Sequence, residues 1–168
     1  MIAGSGSVVT DVIPLDDHMK MNTRVEFWSS AFPKYENEDE EIINANRWGK
    51  RLAEFVRDNL PNYGVATENI ICEDWGWLVY TSNDEFPLWI GCGPLDDFSE
   101  SGEVTGSARV RAGDSSVTAF CLVVTAEPRF FKKLFKRIDT GPPVSKVVKA
   151  LERMVSDRDE FEDIEWSV

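Results

Sequence analysis

The chain has 168 residues, of which 42% are hydrophobic and 11% aromatic, with a formal net charge of −12. These values suit one globular domain around a single core and exclude a disordered chain. The acidic balance repels phosphate backbones and anionic lipid, so neither nucleic acid nor a membrane is expected as a partner; it suits a basic protein partner, or solubility alone.

In chain order, residues 1–20 lack sustained periodicity and open on MIAGSGS, which reads as a flexible leader or upstream sequence. A single α+β domain is expected over 21–156, followed by an acidic C-terminal tail over 157–168 that ends in Phe161, Ile164 and Trp166 and is able to dock. Residues 23–32 (TRVEFWSSAF) read as a first strand ended by Pro33. Asn37 and Glu40 have capping-box spacing, and Ile42, Ala45, Trp48, Leu52, Phe55 and Val56 recur at three- and four-residue intervals. That pattern predicts one amphipathic helix, stopped by Pro61.

The centre of the chain, 70–93, holds three of the six tryptophans and two of the three cysteines. Residues 70–80 and 86–92 read as two strands joined at Asn83-Asp84. Pairing Ser82 with Glu85 sets Val79 opposite Leu88, Trp77 opposite Ile90 and Trp75 opposite Cys92. One apolar face then carries all six of those side chains. Burying each tryptophan removes about 150–250 Å² from water, worth at most about 4–6 kcal/mol, so loss of Trp75 or Trp77 is expected to be severe.

Residues 94–116 are rich in Gly, Ser and Asp and read mainly as a long acidic loop, with a weak strand at 108–111. Residues 117–125 (VTAFCLVVT) are apolar on both parities, as in a central strand. Pro128 opens a predicted helix with Phe130, Phe131, Leu134, Phe135 and Ile138 on one stripe, and TGPP ends it before a last helix from Val144. The element order is β-α-β-β-β-α-α: mainly antiparallel sheet with amphipathic helices packed against it. Basic residues gather on the last two helices, as solvated faces or as a docking surface for an acidic partner.

Chemistry is sparse. His18 is the only histidine and lies in the leader, which removes Ser-His-Asp and Cys-His arrangements. Three cysteines without Cys-x-x-Cys spacing suggest neither a metal site nor a complete disulfide framework; buried free thiols in a reducing cytoplasm are expected. No phosphate-binding glycine loop is present, and no cofactor is expected.

The best polar constellation is Glu73, Asp74 and Trp89. Asp74 is expected across from Gly93, with Gly76 and Gly91 clearing space and Trp89 alongside. A carboxylate beside an aromatic platform suits a carbohydrate-like or cationic ligand, or hydrolysis with a second carboxylate. The competing reading is structural: Trp89 shields backbone over the glycines and Asp74 caps a neighbouring segment. Asp96, Asp97, Glu100 and Glu103 are the candidate contacts for a basic partner.

The helix GKRLAEFVRDNL leading to EDWGW, then FPLWIGCG, FCLVVTAEP and FFKKLFKRIDT, resembles an uncharacterised bacterial family of small α+β proteins, over residues 24–155. The resemblance implies a bacterial cytoplasmic protein and brings no established activity or catalytic residue. The resulting expectation is a non-enzymatic binding or protein-interaction domain, immunity-like toward a basic partner; the alternative is the carboxylate–tryptophan ligand site.

Overall fold

The structure, a computed structural model, describes residues 23–127 and 138–168. The leader 1–20 and the helix expected from Pro128 lie outside the described residues. What is described is α+β: a mostly antiparallel sheet with helices packed on it.

The strands are β1 (Arg24–Ser29), β2 (Thr67–Glu73), β3 (Gly76–Thr81), β4 (Leu88–Pro94), β5 (Asp96–Phe98), β6 (Val104–Ala108), β7 (Val110–Arg111), β8 (Asp114–Ala126) and β9 (Glu162–Ser167). Helices α1 (Lys50–Asn59) and α2 (Gly141–Ser156) accompany them. The main sheet runs β2-β3-β4-β8-β1-β9, with β7 paired to the first part of β8; β5 and β6 form a separate two-stranded arm. The expected central strand is therefore central, and long enough to pair with β7 at one end and β4 at the other.

One face of the sheet carries Val25, Phe27, Trp77, Val79, Ile90, Cys92, Phe120, Leu122 and Val124, all buried. Leu52, Ala53 and Val56 of α1 and Val147, Val148, Leu151 and Met154 of α2 complete this core. Phe120 sits at its centre, edge-on to Trp48 at 5.7 Å and near Phe27 at 5.9 Å, while Phe161 meets Phe27 edge-on at 4.7 Å. Phe161 precedes β9, so the acidic C-terminal segment docks through its aromatic residue and then pairs with β1 along the sheet edge.

Four expectations are corrected. First, residues 70–80 are not one strand. Glu73 pairs with Gly76 across a two-residue turn, Asp74-Trp75, and Gly76 takes φ 144°, which a side chain would resist. Trp75 is thereby lifted out of the strand alternation and leaves the core face.

Second, the β3–β4 register is two residues away from the expected one: Trp77 faces Cys92, Val79 faces Ile90 and Tyr80 faces Trp89. The cause is Phe86, which is buried at 3% exposure from within the β3–β4 connection and so lies outside the ladder. A slip of two keeps the parity, so Trp77, Val79, Leu88, Ile90 and Cys92 still share the core face.

Third, the helix spans only Lys50–Asn59. Asn46 and Gly49 adopt positive φ (67° and 139°), which ends helical continuity before Trp48 and Lys50. Asn37 makes no side-chain cap, and Glu38–Glu40 is a single 3-10 turn. Glu38 instead reaches the start of α1: its Oε1 accepts from the backbone N–H of Gly49 (2.7 Å) and Lys50 (2.8 Å), and its Oε2 from Tyr35 N–H (3.2 Å). At Gly49 a Cβ would stand 3.0 Å from Gly93 Cα, so glycine is required by space as well as by φ.

Fourth, 94–116 is mostly strand. β5, β6, β7 and the start of β8 occupy it, and the element order gains β5, β6, β7 and β9 over the expected one, besides the division of 70–80 into β2 and β3.

Candidate functional site

The sheet face opposite the helices is where the polar candidates and the odd-parity aromatics meet. Across it run Leu78, Gly91, Val123 and Arg24 as successive cross-strand partners, with Tyr80, Trp89 and Thr125 in the next row. Trp75, projected from the β2–β3 turn, lies over Gly91: a Cβ there would stand 2.8 Å from the indole ring. Trp75 and Trp89 form a tilted pair with centroids 5.0 Å apart and planes at 33°. The glycine-shielding role expected of Trp89 is shared: its ring stands 3.4 Å from a Cβ placed at Gly91, and Trp75, 43% exposed, covers the glycine more closely.

Glu73 ends β2 and Asp74 occupies the turn, both exposed. Asp74 is not across from Gly93, whose partner is Cys121. Its backbone carbonyl accepts a hydrogen bond from Asn44 Nδ2, which ties the turn to the loop before α1. No hydrogen bond or ion pair joins Glu73, Asp74 and Trp89 to one another.

Next to Trp75 the face sinks into a cavity of about 240 Å³, lined among others by Arg24, Arg47, Gly91, Gly93, Asp96 and Cys121. It touches neither Glu73 nor Asp74. Glycines at 91 and 93 point the same way from β4, so two missing side chains form part of its floor. Gly-x-Gly within a strand was the available sequence signal for this hollow; the arginines come from β1 and from the loop before α1, and no local pattern joins them.

The second candidate is the β5–β6 arm. Asp96 stands at its base, where both carboxylate oxygens accept from Arg47 Nη1 at 3.1 Å. Asp97 is half-buried, and Glu100 and Glu103 are exposed; none of the three forms an ion pair with any described residue. Phe98 and Val104 pair across the arm and are 51% and 54% exposed. The Arg109 guanidinium lies 6.0 Å from the Phe98 ring centre. The arm therefore presents an exposed apolar pair on a segment rich in carboxylates, an anatomy in which the ring supplies contact area and the nearby charge sets partner preference.

The thiols are all free. Burial pushes the Cys92 thiol well above its ordinary value near 9.0, with the neighbouring Cys121 adding to the rise. Burial also raises Cys121. A raised thiol stays protonated in the fold while the unfolded chain ionises, so its stabilising contribution is complete below pH 9 and is lost as pH climbs beyond it. Thermal melts are expected to hold level from pH 7 to about 8.5 and to fall above about 9, with Cys92→Ala flattening the fall; an unchanged slope in that variant would assign the fall elsewhere. Among the described residues, no group of three or more His, Cys, Asp or Glu is placed to hold a metal ion, and no helix is long and apolar enough to cross a membrane.

No family model matches the chain, and neither a curated protein nor a solved structure matches it.

Proposed function

We propose that this chain is a non-enzymatic, bacterial cytoplasmic interaction domain that masks a basic protein partner, as an immunity protein does, through its β5–β6 arm. The observation that carries the reading is the exposed Phe98–Val104 pair on an arm whose Asp97, Glu100 and Glu103 form no ion pair with any described residue. Such a surface rewards a partner with basic side chains around an apolar recess. Long-range attraction from a chain of net charge −12 speeds the encounter, and the buried ring holds the complex.

The test is titration against candidate basic proteins, starting with any encoded beside this chain, at about 0.05 M and about 0.5 M salt. A complex is expected at low salt, weakened at high salt by slower association. Reversing Asp97, Glu100 and Glu103 to lysine is expected to abolish it, and Phe98→Ala to shorten its lifetime at least tenfold. Binding that ignores both salt and charge reversal would refute the arm as the docking element.

A further inference from the structure

The cavity beside Trp75 is bordered by two arginines on an acidic protein. Each is paired with one carboxylate, Arg24 with Glu26 and Arg47 with Asp96. Neither arginine has spent its donors. Arg24 gives Nε–H to Glu26 Oε1 at 2.8 Å, leaving both Nη groups without a described partner. Arg47 uses Nη1 on Asp96 and keeps Nε and Nη2. Each carboxylate thus engages one nitrogen of its guanidinium while the remaining N–H groups stay available.

Apolar side chains share the lining: Trp75, with Val123, Pro94 and Leu95. At 240 Å³ the hollow has the volume of about eight liquid waters, below the range typical of drug-sized ligands. A flat ring with one charged substituent matches that volume and both kinds of wall.

The geometry points to a binding site for a small aromatic carboxylate, its ring against Trp75 and its carboxylate taken by the free N–H groups of Arg24 and Arg47. This site shares Asp96 with the base of the acidic arm but binds by different chemistry, so it does not depend on the partner proposed above. Arg47 nevertheless connects the two, because the Asp96 it holds is the first residue of β5. Occupancy of the cavity therefore acts on the residue that roots the arm.

The probes are benzoate and its uncharged counterpart benzamide, titrated into the full chain while indole and guanidinium N–H signals are followed by NMR. Benzoate is expected to shift the Trp75 and Arg24 signals saturably below about 10 mM, and benzamide to need at least tenfold more. Arg24→Gln is expected to weaken benzoate about tenfold with a dispersed amide spectrum. Should that variant lose its fold, Trp75→Leu, a change at a half-exposed turn position, reads the same site and is expected to weaken benzoate several-fold. Equal affinity for benzoate and benzamide, no saturable shift up to about 20 mM, or unchanged benzoate affinity in the folded variants would each overturn the proposal.

Discussion

Glu38→Ala is expected to destabilise the fold by about 3–5 kcal/mol, among the largest losses available from a single polar side chain in this chain. Glu38 is completely buried and its carboxylate accepts three backbone N–H groups, two of them at the first turn of α1. Those donors belong to the orphan set that every helix start leaves, and here no solvent or local cap serves them, since the N-cap residue is Gly49. The negative charge also faces the positive end of the helix dipole. Alanine would strand the buried donors and open a hole beside Gly49. Glu38→Gln separates these effects: it keeps the shape and one acceptor, but sets an amide donor against Tyr35 N–H, for an expected loss of about 1–3 kcal/mol. Urea unfolding of the three proteins reads both values. A loss under about 1 kcal/mol for Glu38→Ala would mean that water reaches those N–H groups and that α1 does not rely on this carboxylate.

The two tryptophans of EDWGW are expected to part company. Trp77→Ala should lose about 3–5 kcal/mol, the ordinary result of removing a buried aromatic ring, whereas Trp75→Ala should lose about 1 kcal/mol. Trp77 is 5% exposed within the core and has Lys50 Nζ 5.3 Å from its ring centre. Trp75 has only Trp89 and the Gly91 position beneath it and is 43% exposed. Trp77→Phe provides a sharper check. The Trp77 Nε1–H is buried with no hydrogen-bond partner among the described residues, so phenylalanine gives up ring area without giving up a bond. Its expected cost is under about 1.5 kcal/mol. Equal losses for Trp75→Ala and Trp77→Ala would contradict the turn at Asp74-Trp75.

Much of this architecture was readable from patterning. The apolar run 117–125 marked a central strand, and it is the middle of β8, although Cys121, Val123 and Thr125 on the face away from the helices are only half-buried. The alternation of Trp77, Val79, Leu88, Ile90 and Cys92 marked a core face that survived a register error, because parity is insensitive to a slip of two. The closing stripe Val147, Val148, Leu151, Met154 and Val155 became the buried side of α2. The site was much less readable. Asp97, Glu100 and Glu103 were legible as an acidic stretch, but their display on a two-stranded arm with Phe98 and Val104 was hidden by a composition that reads as loop.

By itself, then, the sequence determined most of the side chains that leave water, Trp75 and Glu38 being exceptions, and with them the α+β class, the central strand and much of the inward faces of both described helices. Those follow from local periodicity, which any chain segment carries with it. Only the tertiary structure decided where the 70–80 run turns, which carboxylate caps α1 and which arginines share a hollow with Trp75. Each of these depends on atoms distant in sequence meeting at contact range: Phe86 entering the core, Glu38 reaching Gly49, and the glycines of β4 leaving room that Trp75 and the two guanidiniums border.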